Sequence, residues 1–171
     1  VAKNLMAQNA LVEQLQDRSM GREYEAVAVG VMTGGGKVDA PIGRHEKDRK
    51  RMTVTPSGKP AVTHYRVLER YRGHTHIRCK LETGRTHQIR VHMAHINYPL
   101  VGDPVYGGRM RLPAGSSEGL KASLRHFTRQ ALHAKRLELW HPATGDLMEW
   151  EIDLPEDFLK LLEALETDLE D

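Results

Sequence analysis

Residues 61 to 82 read Ala-Val-Thr-His-Tyr-Arg-Val-Leu-Glu-Arg-Tyr-Arg-Gly-His-Thr-His-Ile-Arg-Cys-Lys-Leu-Glu. Ala61 to Glu69 and His74 to Glu82 both alternate, the period of a strand, and Arg70-Tyr71-Arg72-Gly73 turns the chain between them. The stretch therefore reads as an antiparallel hairpin. Towards the N-terminus, Arg22 to Gly30 also alternates, Glu23 and Glu25 against Tyr24 and Ala26, before turning fully apolar at Val27-Ala28-Val29. Towards the C-terminus, Ala131 to Trp140 and Leu147 to Ile152 read as strands around the turn Pro142-Ala143-Thr144-Gly145.

Helices punctuate these strands. Residues 4 to 17 place Leu5, Val12 and Leu15 on one face, with Leu11 beside them and Asn4 as N-cap. Thr86 caps a helix running to about Ile96, with Ile89, Met93 and Ile96 as its buried stripe. Pro155 opens a last helix whose apolar face is Phe158, Leu161, Leu162 and Leu165. Between the elements lie a glycine turn at Gly34-Gly35-Gly36, a charged connection from Gly43 to Arg51, and turn residues from Pro56 to Pro60. A further loop covers Pro99 to Gly108, and a Pro-, Gly- and Ser-rich exposed loop covers residues 110 to 123. Strands with inserted helices and no repeating βαβ unit predict an α+β fold, its sheet mixed and mainly antiparallel, with flanking helices. The length of 171 residues fits one domain.

No apolar run approaches the length of a membrane span. The single cysteine, Cys79, excludes an intrachain disulfide and, with no leader-like start, points to the cytoplasm. The net charge of +2 hides an asymmetry: residues 151 to 171 hold nine acidic groups and one basic, so the first 150 residues carry +10. A basic body with an acidic terminal helix suits a nucleic-acid partner.

Arg85, His87, Gln88 and Arg90 crowd the start of the helix after Thr83-Gly84, where free N–H groups and the helix dipole favour an anion. Arg90 follows the buried Ile89 by about 100° of arc, which sets a partly desolvated cation at the core boundary, in need of a carboxylate or phosphate. Arg44, Lys47, Arg49, Lys50 and Arg51 form one basic loop, and Arg109, Arg111, Lys121, Arg125 and Arg129 a second zone. Together they suit a phosphate backbone. Tyr24, beside cations on its strand, can stack on a base or fill the core. Asp103 before Pro104 organises its own turn, and Asp39 has similar standing. His87, His92 and His95 lack the His-Glu-x-x-His spacing of a zinc helix, so no metal is expected.

Several of these segments resemble the RluA family of RNA pseudouridine synthases. Arg22-Glu23-Tyr24-Glu25-Ala26-Val27 is similar to that family's tyrosine motif. Gly58 to Tyr65, Thr83 to Gly108, and Ala131 to Ala134 with His141-Pro142 resemble its later motifs, in the same order. The resemblance implies a pseudouridine synthase core with Tyr24 and Arg90 as catalytic residues. Tyr24 would pack on the target uracil and take the C5 proton, and Arg90 would pair with the nucleophilic carboxylate. It also implies large-subunit ribosomal RNA as partner, no cofactor and a monomer.

The family's nucleophile sits in an Arg-Leu-Asp motif, which does not occur in this sequence. In the family that motif lies just upstream of a strand ending like Val1-Ala2-Lys3. The chain is therefore expected to be the C-terminal part of a catalytic domain, without the catalytic Asp segment or an N-terminal RNA-binding domain, and inactive alone. Arg90 is then expected to lack its partner or to borrow another acid, and apolar strand surface and an open sheet edge are expected near the N-terminus. A non-catalytic RNA-binding module on the same scaffold is the alternative.

Overall fold

The computed structural model describes residues 5–17 and 21–170, with backbone alone for residues 12–17. Val1-Ala2-Lys3, the cap residue Asn4 and the side chains of Val12 and Leu15 lie outside the described residues.

In chain order the elements are α1 (Leu5–Asp17), β1 (Gly21–Val29), β2 (Gly36–Asp39), β3 (Ile42–Arg44), β4 (Met52–Val54), β5 (Val62–Arg70), β6 (His74–Leu81), α2 (Gln88–His95), α3 (Glu118–His126), β7 (Leu132–Trp140), β8 (Leu147–Glu151) and α4 (Glu156–Glu170). The main sheet runs β2-β5-β6-β1-β7-β8, and every described pairing in it is antiparallel. The fold is α+β, as the sequence order predicts.

Strand β1 lies at the middle because its second half is apolar on both faces. Ala26 and Ala28 face Ile77 and Cys79 of β6 and Ile89 and Met93 of α2. Val27 faces the opposite layer, where Leu120 and Leu124 of α3 meet Phe158, Leu161 and Leu165 of α4. Leu162, expected on that stripe, is only partly buried. Helix α2 thus covers one face of the sheet, and α3 with α4 the other.

Three departures from the sequence-based expectations have physical causes. The charged connection Gly43 to Arg51 is bracketed by β3 and β4, a short hairpin pairing Ile42 with Val54. The stretch 110–123 is a loop only up to Ser117, whose Oγ accepts the Leu120 N–H at 3.1 Å and caps α3. Burial of Leu120 and Leu124, one turn apart, then holds that helix down. Finally, Thr86 does not cap α2. The helix starts at Gln88, preceded by His87 in the left-handed region at φ 56°. The Gln88 side chain does the capping from inside, its Oε1 accepting from Arg85 N–H at 3.0 Å and from the Thr83 hydroxyl at 2.7 Å. At the other end Asn97 takes φ 70°, and the bonds from Asn97 N–H to Ala94 O and Tyr98 N–H to Met93 O close the helix.

Strand β8 is the outer strand of the described sheet, and Trp140, Leu147, Trp150 and Ile152 along β7 and β8 are 44–49% exposed. The sequence predicts open apolar strand surface near the N-terminus of the chain; here it lies along the C-terminal strands β7 and β8. Between β1 and β7 the register shifts: Glu23 opposes Arg136, but Tyr24 opposes Ala134, leaving Lys135 as an extra residue. Such a bulge raises local twist and re-aims the side chains beside it.

His74, at the start of β6, is buried, and burial pushes its ring down to about 4, a charge effect of Asp168 only partly opposing this. Unfolded, such a ring titrates at about 6.5. The unfolded chain therefore binds the proton first, so the stability from neutral His74 is complete above about pH 6.5 and drains away towards pH 4. Its slope reaches about 1.4 kcal/mol per pH unit. We expect the urea midpoint to fall between pH 6.5 and pH 4, and less steeply in His74→Phe; equal slopes would show that His74 does not carry the effect.

Candidate active site

Helix α2 delivers Arg90 to the edge of the core, where the turn Gly102-Asp103-Pro104 meets it. Arg90 Nε donates to Asp103 Oδ2 at 2.8 Å and Nη2 donates to Oδ1 at 2.9 Å. Oδ1 also accepts the N–H groups of Val105 at 2.9 Å and Tyr106 at 3.0 Å, the self-organised turn expected of this Asp. Gly102 makes the turn possible: it sits at φ 73°, and a Cβ there would run into the carbonyl oxygens of Phe127 and Arg129.

The Asp103 side chain is fully buried. Burial pushes its carboxyl up, but the bonds from Arg90, Tyr106 and Val105 and the Arg90 charge outweigh that and hold it below its ordinary value. The same carboxylate raises Arg90. Arg90 has thus found an acid within this chain. It does so with one edge of its fork: Nη1 makes no hydrogen bond to any described residue.

Tyr106 ties the surroundings together. Its ring centroid lies 5.0 Å from the Arg90 guanidinium carbon and 5.3 Å from that of Arg51. Its hydroxyl accepts the Met52 N–H at 2.9 Å and shares a 2.8 Å hydrogen bond with His87 Nδ1. His87 therefore holds its left-handed backbone against a rigid neighbour, strain of the sort that gathers at functional sites. Burial, then the Arg90 charge, lowers the His87 pKa.

Tyr24 sits on β1 at the bulge, opposite Cys79 and Ala134. Its half-buried ring packs against the cluster holding Ile89 and Met93, on the α2 side of the sheet. Its hydroxyl makes no hydrogen bond to a described residue. Two residues earlier lies a cation that residue-type reasoning passed over. Arg22 lies against Gly84, where any Cβ would meet its guanidinium, and its Nε is buried without a hydrogen-bond partner among the described residues. Burial lowers its pKa. An Arg two residues before the tyrosine, on the same strand face, is the signal that was there to read.

The other predicted residues divide. Arg44 and Arg85 meet, with Lys59, along a groove of about 420 Å³ between the β3–β4 hairpin and the loop before α2. Arg85 Nε donates to Pro60 O, and Arg44 Nη1 to Arg49 O. Lys47, Arg49 and Lys50 are exposed on the hairpin loop, shaped by Lys47 and Asp48 N–H groups donating to His45 Nδ1. Gln88 is a correction. It is 3% exposed, and its amide is committed to Thr83, Arg85, Val62 and Thr63, so it has nothing left for RNA. Arg109 lies away from this groove, on a separate cavity. His92 spends both ring nitrogens inside the fold, on Thr63 Oγ1 at 2.8 Å and Ala40 O at 2.9 Å. Asp39 is exposed on β2.

Residues 1–95 match the family model described as RNA pseudouridylate synthase. The chain belongs to this family. Among its relatives, ribosomal large subunit pseudouridine synthase D of Pseudomonas aeruginosa is 65% identical over 99% of this chain and 53% of its own length. The protein of the same name from Escherichia coli is 60% identical over all of this chain and 52% of its own length. The chain thus spans about half the length of the curated relatives it matches. The solved structure of human RNA pseudouridylate synthase domain containing 4 superposes with a TM-score of 0.73 at 26% identity, over 95% of this chain and 69% of that one. Human RNA pseudouridylate synthase domain containing 1 gives 0.69 at 26% identity, over 90% and 62%. No described helix is long and apolar enough to cross a membrane.

Proposed function

We propose that the chain is the C-terminal part of the catalytic domain of an enzyme that isomerises specific uridines to pseudouridine in large-subunit ribosomal RNA. The observation that carries this reading is the 65% identity, along nearly the whole chain, to a protein named for that reaction on the large ribosomal subunit. Tyr24 packs on the target uracil, and Nη1 of Arg90, the nitrogen that Asp103 does not engage, holds the nucleophilic carboxylate. In the reaction the C1′–N1 bond breaks, the uracil turns, and a C1′–C5 bond forms. The C5 proton leaves towards Tyr24, and N1 takes up a proton. The carboxylate attacks C1′ or stabilises the glycal-like intermediate. The base must leave its stack to be reached.

The carboxylate comes from residues outside this chain. Asp103 does not fill that role, because its side chain is sealed from solvent and its oxygens are committed. Arg44, Lys47, Arg49, Lys50, Arg51, Arg85, His87 and Arg109 contact the RNA. The enzyme works as a monomer in the cytoplasm, without metal or cofactor. A second reading, a non-catalytic RNA-binding module, is favoured by one observation: no Arg-Leu-Asp occurs in the sequence.

Tritium release from ribosomal RNA labelled at uridine C5 tests this, with the chain as given and with one extended upstream of Val1. Release from the extended chain alone is the expected result. RNA binding without release in either form favours the binding module. Release from the short chain, abolished by Asp103→Asn, would place the chemistry elsewhere.

A further inference from the structure

Beyond the loop 102–108 that pins Arg90 lies a second cavity, of about 190 Å³. Its floor is apolar, from Val29, Leu100, Leu124 and Phe127, and Asp103 forms part of the wall shared with the Arg90 site. Its rim carries Arg109, Arg111 and Arg125. All three are exposed, and none makes a hydrogen bond or ion pair with a described residue. Their neighbour Arg129, by contrast, is held by Asp157 through two 2.8 Å bonds. Three exposed cations around one apolar hollow present a patch of positive potential that favours an anionic partner.

The interior supplies an independent observation. His74 also lines the cavity; it is 1% exposed, and its Nδ1 has no hydrogen-bond partner among the described residues. Buried polar atoms without partners are rare and call for an explanation. Nδ1 is sealed from solvent, so a ligand with a polar edge would reach it only if the His74 ring turned towards the cavity. The volume falls below the roughly 300–1,000 Å³ of clefts for drug-sized ligands, so it fits a single ring system.

We propose that this cavity is a nucleotide subsite that takes one unstacked base of single-stranded RNA, with the base on the floor beside His74 and Phe127 and the flanking phosphates on Arg109, Arg111 and Arg125. The inference rests on the reading that the chain binds RNA and deepens it, giving the second basic zone a defined occupant. An enzyme that flips one base out of its stack leaves neighbouring bases unstacked, and these need platforms of this kind.

The test uses oligouridylate carrying 5-iodouridine, photo-crosslinked to the chain, with the modified peptide identified by mass spectrometry. Two triple variants are compared with the parent: R109Q/R111Q/R125Q at the rim, and R44Q/R49Q/K50Q on the β3–β4 loop. The expected cross-link lies in the peptide containing Phe127. It drops at least tenfold in the rim variant and persists, at lower affinity, in the loop variant. The slope of log affinity against log salt becomes shallower by about 2 in the rim variant, because three phosphates of a single strand are no longer neutralised there. All six side chains are exposed, so melting temperatures close to the parent's are expected, and their measurement in each variant excludes misfolding as a cause. A rim variant with the parent's cross-links and salt slope overturns the subsite while leaving RNA binding intact. A parent chain that binds no oligouridylate overturns both.

Discussion

An Asp103→Ala chain is expected to lose about 3–5 kcal/mol of stability, a large share of what a domain of this size possesses. The substitution strands the Arg90 cation at the edge of the core and removes the acceptor of the Val105 and Tyr106 N–H groups. Asp103→Asn should cost less, since its amide oxygen still accepts from those N–H groups. The pairing itself, rather than either charge, is the source of the effect. Arg90→Met with Asp103→Leu should therefore be more stable than the sum of the single changes implies, by about 1–3 kcal/mol. Urea unfolding at pH 7 of the parent, Asp103→Ala, Asp103→Asn, Arg90→Met, Asp103→Leu and the double variant decides this. A loss below about 1 kcal/mol in Asp103→Ala would mean that Arg90 is solvated and the pair is ornamental.

The second large effect is on activity. Tyr24→Phe, made in the protein extended upstream, should reduce tritium release by about 10²–10⁴-fold, the range for losing a positioned general base. Stability should change by no more than about 0.5 kcal/mol, because the hydroxyl has no described partner to lose and the ring remains. RNA affinity should hold too. This combination separates the two accounts of Tyr24 that its strand position leaves open. A core tyrosine would leave release unchanged, and a purely stacking one would keep its function in phenylalanine. Only a hydroxyl with a chemical task gives a silent fold and a silent enzyme.

Much of the architecture was legible because its long elements carry clear periods. The β5–β6 hairpin, β1, β7, β8 and α4 all show runs of five or more residues in which alternation or a helical stripe is visible. The missed elements are those whose signal is short or masked. Strands β2, β3 and β4 have four residues or fewer, too few for a period to declare itself, and β3 and β4 flank a charged loop. Helix α3 hides behind Pro113, Gly115 and Ser116, although Ser117 followed by Leu120 and Leu124 is a capped amphipathic turn. At the site, the need of Arg90 for an acid and the turn role of Asp103 were each readable, but their meeting was not. Thirteen residues separate them, and no spacing rule connects a helix to the loop that folds back on it. Gln88 misled for a related reason. A polar residue at a helix start looks available, and only the fold reveals that Thr83 and the β5 backbone have claimed it.

The place of β1 in the sheet also has a consequence in time. Its partner β6 ends at Leu81 and its other partner β7 at Trp140, about a hundred residues after Val29. At translation rates of roughly 5–20 residues per second, β1 emerges on the order of 5–20 s before its second neighbour exists. Throughout that interval Ala26 to Val29, apolar on both faces, sits in a growing chain with an unmatched edge. The strand that organises the finished domain is thus the one most in need of shelter during synthesis.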